Sequence, residues 1–225
     1  MKRPWQQLLF LAFGLLFRRT VQTGLRGVWV RGALPGGAFV LAANHHSWWD
    51  AYVLPVLLLH LRREFSVIMS DRRLGEFGFF RFVGGVAASR PRQALSALKR
   101  GEVVLVFPEG ELSPSGSLRT LNEGAVWLAK KAGLPIVPVA TSVLLRAQEF
   151  PEAYVDIGMP MEPDGEQLKQ VLSGMIAGLD DILHTVPAEE WMPGFGLQIS
   201  GRKSTHERMA WWSSALLKLM GVRRI

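Results

Sequence analysis

Short apolar runs recur along the middle of the chain, each followed by a stretch whose apolar residues repeat at helical spacing. Runs at 38–43, 65–69, 86–89, 103–107, 136–141 and 154–158 are predicted strands. Between and after them, 48–60, 73–82, 93–100, 123–133 and 167–183 are predicted helices. Strand and helix in alternation predict an α/β fold, a single domain with a largely parallel central sheet flanked by helices. In such a sheet the carboxyl ends of the strands lead into the loops where sites are built.

The two ends of the chain follow a different pattern. Residues 5–17 are almost wholly apolar and lie between Lys2-Arg3 and Arg18-Arg19. A helix over such a run is about 20 Å long, short of the roughly 30 Å hydrocarbon core of a bilayer. It resembles the apolar part of a signal peptide, but two arginines follow it instead of a cleavage site. The expectation is an amphipathic helix on a membrane surface; a helix packed on the core and a short tilted anchor are the alternatives. At 211–222, Trp211, Trp212, Ala215, Leu216, Leu219 and Met220 recur at helical spacing before Arg223-Arg224. Lipid contact and docking against the core suit that amphipathic pattern equally. Pro187, Pro193, Gly194, Gly196 and Gly201 predict a flexible connector at 187–201. The divisions expected are therefore an interface helix at 1–26, an α/β domain at 27–186, and a linker with a terminal helix at 187–225.

Composition narrows the partners. The chain is 225 residues long and 48% hydrophobic, too apolar for disorder and too polar for many membrane spans. It has no cysteine, which removes disulfides, thiolate nucleophiles and thiolate metal sites and fits a cytosolic setting. A net charge of +7 favours an anionic partner, nucleic acid or an acidic membrane surface. No helix-turn-helix, zinc-finger spacing or RNA-binding aromatic motif is visible, and several of the eight tryptophans stand beside basic residues at the chain ends. Membrane lipids are thus the expected partner and nucleic acid is not. The expected location is peripheral or monotopic, on the cytoplasmic face of a membrane.

Candidate chemistry begins right after the run at 39–43, with Asn44-His45-His46-Ser47-Trp48-Trp49-Asp50. A histidine can move a proton near neutral pH, and a carboxylate can fix its tautomer. On one continuous helix, five residues of separation would turn His45 and Asp50 about 140° apart. They can pair only if His45 lies in a loop and Asp50 in the first turn of the next helix, with Asn44 or Ser47 available to cap. His46 is a competing base. A metal site from His45, His46 and Asp50 would need two adjacent histidines to converge, so none is expected. A second string, Phe107-Pro108-Glu109-Gly110, follows the run at 103–106. Between the two lies Gly84-Gly85-Val86-Ala87-Ala88-Ser89-Arg90, and beyond them Val137-Pro138-Val139, where a proline predicts an edge strand or a bulge. A Gly-x-Ser-x-Gly elbow is absent, which argues against a serine hydrolase.

These four blocks, in this order and at these distances, resemble the glycerolipid acyltransferase family, whose best-known members acylate glycerol-3-phosphate or lysophosphatidic acid. The resemblance runs from about residue 27 to residue 160. It implies His45 as general base, taking the proton of an acceptor hydroxyl that attacks a thioester, and Asp50 as the group that orients it. The implied donor is acyl-CoA or acyl carrier protein, with no metal or bound cofactor. Substrate-binding candidates are Arg90, which the resemblance marks for phosphate, Arg119, and Pro108, Glu109 and Gly110. Glu109 would bind the acceptor or a nearby cation, or merely cap the next turn. The segment 71–82, basic and aromatic, is implied near the acyl entrance. Two departures stand out: Glu111-Leu112 replace the family's usual threonine and arginine, and Asn122-Glu123 stand where a lysine is common. Lysophosphatidic acid is the acceptor expected. A phosphate-free lipid alcohol or glycolipid is the alternative, and an idle lipid-binding relative a further one.

Overall fold

The computed structural model describes residues 4–118 and 120–220. In chain order the elements are α1 (Pro4–Gly24), β1 (Gly27–Arg31), β2 (Val40–Ala43), α2 (Asp50–His60), β3 (Phe65–Met69) and α3 (Asp71–Glu76). A 3-10 turn (Gly78–Phe82) leads to β4 (Gly85–Ala87), α4 (Pro91–Lys99), β5 (Val103–Val106), α5 (Gly124–Ala132) and β6 (Ile136–Leu144). The chain continues through β7 (Glu152–Ile157), α6 (Gly165–Thr185), β8 (Gly196–Ser200) and α7 (Thr205–Leu219). The strands form one eight-stranded sheet in the order β4-β3-β5-β2-β6-β7-β1-β8. The first five are mutually parallel, β7 pairs parallel with β1, and only β6–β7 and β1–β8 are antiparallel.

Side-chain alternation along the central strands divides the core in two. On β2 and β5, Leu41, Ala43, Val103 and Leu105 face the helices α1 and α2, meeting Phe17, Val21, Val53 and Leu57. Their neighbours Val40, Ala42, Val104 and Val106 point the other way, onto α4 and α5 through Ala94, Ala97, Ala125 and Ala129. Buried on both faces, these strands read as unbroken apolar runs, as parallel strands do. Helix α2 is apolar almost all round, which matches its position between the sheet and α1.

Several elements differ from the sequence reading. Strands β1 and β8 were not expected, and β8 lies inside the Pro/Gly-rich segment read as a connector. Of its residues only Ile199 is buried, so it is held chiefly by backbone pairing with β1. The helix expected at 73–82 breaks at Glu76 and resumes as the 3-10 turn, with glycines at 75 and 78. Pro138 lies in an interior strand instead of an edge. The ladder between β6 and β7 ends at Val139↔Ile157, and beyond it the Pro138 carbonyl accepts Gly158 N–H, so the missing N–H falls where the ladder stops.

Helix α1 runs to Gly24, well past residue 17, and its two sides differ. Phe17 and Val21 are core residues, whereas Leu8, Leu11, Leu15 and Leu16 form an exposed row. Phe10, Phe13 and Phe17 lie on the opposite side of the same helix and face inward. Among the described residues, no helix is long and apolar enough to cross a membrane.

Candidate active site

Strands β2 and β5 are parallel neighbours, so the loops leaving their carboxyl ends emerge side by side. That adjacency brings the blocks around His45 and Glu109 together. His45 lies in the loop after β2, and Asp50 is the first residue of α2. The condition set by the spacing is therefore met. Asp50 is 1% exposed, and its carboxylate is fully engaged. Oδ2 accepts the backbone N–H groups of His46 at 2.9 Å and Ser47 at 2.8 Å, and His45 Nδ1–H at 3.3 Å. Oδ1 accepts the Thr141 hydroxyl at 3.1 Å. The Asp50 side chain thus folds the loop back on itself, while Ser47 Oγ accepts Trp49 N–H.

Buried Asn44 pins the start of this loop to β6. Its amide donates to the Thr141 carbonyl at 2.9 Å, and its oxygen accepts Thr141 N–H at 2.7 Å. The pairing of β2 with β6 is in effect continued by a side chain after β2 has ended. The His45 ring stacks on Phe107, with centroids 4.3 Å apart. Its backbone N–H donates to Glu109 Oε1 at 2.8 Å, and its carbonyl accepts Ser113 N–H at 2.9 Å. Glu109 therefore neither caps the next turn nor reaches toward solvent: it holds the backbone of His45.

His46 turns away from its neighbour. Its Nδ1 lies 3.2 Å from the Asn44 amide, and its Nε2 lies 3.7 Å from Glu109 Oε1. His46 Nε2 and Glu109 Oε2 are buried without hydrogen-bond partners. The two histidines do not converge, and among the described residues no cluster of His, Cys, Asp or Glu could hold a metal ion. Pro108 and Gly110 shape the second loop. Asn122 binds the Pro108 carbonyl through its backbone N–H at 2.7 Å and its amide at 3.0 Å. Gly110 has φ +81°, and a Cβ there would come within 2.8 Å of that amide, so only glycine fits without a shift.

His45 opens onto a cavity of about 480 Å³; His46 does not. Its walls are mainly aromatic and aliphatic, among them Phe10 and Phe13 of α1, Tyr52 of α2, and Phe79 and Phe80 of the 3-10 turn. Polar groups enter from Gly110-Glu111 and from Arg72 and Arg73, both of which pair with Glu76. An apolar pocket with a few convergent polar groups is the form that ligand sites usually take. Arg90 is not part of it. This exposed residue lines a neighbouring cavity of about 230 Å³ with Asp71, Arg81 and Gln93; Gly85 borders both cavities. There the Asp71 carboxyl is held below its ordinary value, first by the Ser89 hydroxyl and N–H bonds, with Arg90 adding a smaller attraction. Arg119 lies outside the described residues.

Sequence reasoning named Asn44, Phe107 and Asn122 without their roles here, Asn44 as a cap rather than a tie to β6, and it missed Thr141 altogether. The signal for Thr141 was present, since Thr141 and Ser142 interrupt an otherwise apolar strand. Thr141→Val should lower turnover about tenfold while the protein stays folded, because Asp50 Oδ1 loses its only hydrogen bond and the carboxylate its fixed pose. Leaving that oxygen unpaired costs about 1–3 kcal/mol, readable as a drop in melting temperature. An unchanged rate would show that two backbone N–H groups suffice to hold Asp50.

The family described as acyltransferase matches residues 27–142, just over half of the chain. A 1-acyl-sn-glycerol-3-phosphate acyltransferase of Pseudomonas aeruginosa is 29% identical over 159 residues, 59% of this chain and 58% of that protein. One from Chlamydomonas reinhardtii is 32% identical over 117 residues, 47% of this chain and 34% of that protein. A chloroplastic one from Arabidopsis thaliana is 32% identical over 115 residues, 44% of this chain and 30% of that protein. The chain thus spans between 30% and 58% of the length of these relatives. In fold it is similar to the crystal structure of the 1-acyl-sn-glycerophosphate acyltransferase PlsC from Thermotoga maritima. The TM-score is 0.57 at 21% identity, covering 83% of this chain and 80% of that one. With its two motif-bearing loops side by side in the matched span, the chain belongs to the acyltransferase family.

Proposed function

We propose that this protein transfers a fatty acyl group from acyl-CoA or acyl carrier protein to the hydroxyl of lysophosphatidic acid, working at a membrane surface. The observation that carries this reading is His45, oriented by Asp50 and opening onto an apolar cavity. With Nδ1–H donated to Asp50, the lone pair of His45 lies on Nε2. Nε2 takes the proton of the acceptor hydroxyl as its oxygen attacks the thioester carbonyl. The tetrahedral intermediate collapses with cleavage of the C–S bond, and the imidazolium returns its proton to the departing thiolate. No acyl-enzyme, metal or bound cofactor enters the reaction so written. A general base of this kind contributes about 10²–10⁴ in rate. The acyl tail has the aromatic cavity for company, and Gly110 lets the backbone approach.

The membrane part of the proposal rests on α1. Its inward side lines the cavity, and its outward row of leucines is exposed and followed by Arg18 and Arg19. A helix of this kind lies in the lipid interface and separates the bilayer from the acyl cavity. This supports peripheral or monotopic attachment; the cytoplasmic face is the side proposed, because acyl-CoA and acyl carrier protein are found there. The similarity to 1-acyl-sn-glycerol-3-phosphate acyltransferases supports lysophosphatidic acid as acceptor.

A second reading keeps the chemistry and changes the acceptor to a phosphate-free lipid alcohol or glycolipid. It is favoured by Glu111 and Leu112, which line the cavity beside His45 and offer no cation. Thiol release from a long-chain acyl-CoA, measured in detergent, separates the two; the protein has no cysteine to react with the reagent. Release that depends on lysophosphatidic acid is the expected result. Release only with monoacylglycerol or a glycolipid would transfer the proposal to the second reading. Lipid binding without release from either type of donor would end both.

A further inference from the structure

We propose that α7 is a lipid-binding arm, separate from α1, that lays an apolar stripe onto the surface of an anionic bilayer. The proposal rests on the membrane-surface reading above, but on different residues. Met209, Trp212, Leu216, Leu219 and Met220 fall at i, i+3, i+7, i+10 and i+11, the spacing of a stripe that a globular protein turns toward its core. Here each of them is at least 59% exposed. Among the described residues no side chain after Ser204 is buried. Trp211 stands beside the stripe, its ring edge-on to that of Trp212 at 5.0 Å.

The base of the helix, in contrast, is firmly held. Ser204 is fully buried; its hydroxyl donates to Gln148 and accepts Glu149 N–H. Thr205 donates its N–H and its hydroxyl to Glu149, and Arg26 donates to Glu207 at 3.0 Å. Gly201 and Arg202 N–H groups donate to the carbonyls of Arg26 and Leu25, so α7 begins at the corner where α1 ends. An exposed apolar helix fixed at one end is an arm presented to something.

Charge selects the occupant. Both carboxylates at the base, Glu149 and Glu207, are spent on these internal bonds. Lys203, His206 and Arg208 remain exposed around the first turns, and Arg223-Arg224 follow in the sequence, beyond the described residues. A second copy would bring one chain of net charge +7 against another. Anionic headgroups complement the cations, and paired tryptophans next to an aliphatic stripe suit the lipid interface.

Because the chain has no cysteine, a single cysteine can be labelled anywhere. Leu216→Cys carrying an environment-sensitive fluorophore should shift its emission to the blue on vesicles of phosphatidylcholine with phosphatidylglycerol. The shift should weaken in high salt and be absent from Lys169→Cys, an exposed position on α6. In co-sedimentation, Trp212→Ser combined with Leu216→Ser should weaken vesicle binding about tenfold with an unchanged melting temperature. Leu8→Ser with Leu11→Ser and Leu15→Ser tests α1 in parallel. An unshifted probe at 216, with binding lost only in the α1 variant, would overturn the arm and spare the membrane reading. Loss of neither, or no vesicle binding at all, would overturn both. A shift that grows with protein concentration without vesicles would replace lipid by a second copy.

Discussion

His45→Ala should lower kcat by about three to four orders of magnitude and leave the fold intact. The ring is the one described group that both hydrogen-bonds to Asp50 and lines the cavity, so it is the oriented base there for the acceptor's proton. Truncation should be structurally mild. The side chain is 17% exposed, and its packing partner is the ring of Phe107. The bonds that hold the loop, from His45 N–H to Glu109 and from Ser113 to the His45 carbonyl, are made by the backbone and survive the change. Asp50 keeps its bonds to His46, Ser47 and Thr141. The melting temperature should therefore move little, and KM for the acyl donor should hold, since the apolar walls are untouched. Near-normal turnover would remove His45 as the base. His46 is a poor substitute, because its ring is engaged by Asn44 and faces Glu109 behind the loop.

How much of this could be read from the sequence depended on distance along the chain. The central strands were legible because burial on both faces makes β2, β5 and the first part of β6 continuous apolar runs. Strand β1 was not: Gly27–Arg31 is short and finds its partners in β7, 125 residues on, and in β8. Strand β8 was hidden by the prolines and glycines around it and by having one buried residue. The site divides in the same way. The relation of His45 to Asp50 was visible because a loop and one helical turn decide it. The partners of Thr141 were not visible, since Asn44 and Asp50 lie 97 and 91 residues away. Glu109 was singled out as a binding or capping carboxylate, but its bond to His45 N–H spans 64 residues and only the adjacency of β2 and β5 supplies it. For α1 the sequence offered lipid surface or core as alternatives. The helix gives Phe17 and Val21 to the core and leaves Leu8, Leu11, Leu15 and Leu16 exposed.

Asp50→Asn should reduce kcat about a hundred- to a thousandfold, less than the loss of His45, and keep the protein folded. The geometry dictates which way the new amide sits. Every group around Oδ2 is a donor: the N–H groups of His46 and Ser47 and Nδ1–H of His45. An amide nitrogen there would meet three hydrogens, so the asparagine oxygen must take that place. Its nitrogen then faces the Thr141 hydroxyl, which can turn to accept, sending its own hydrogen to Asn44 Oδ1 at 3.4 Å. The loop and the His45 tautomer are both preserved, and only the negative charge that stabilises the imidazolium is removed. Asp50→Ala differs, since it takes the acceptor away from the His46 and Ser47 N–H groups, at about 1–3 kcal/mol for each left unsatisfied, while the Thr141 hydroxyl can still turn to Asn44 Oδ1. That variant should melt well below the asparagine variant. Kinetics of the double change separate charge from position. If Asp50 acts only through His45, then His45→Ala combined with Asp50→Asn should be no slower than His45→Ala alone. A further loss in the double variant would mean that Asp50 acts on the substrate directly, and an undiminished rate in Asp50→Asn would mean that the carboxylate only holds the loop.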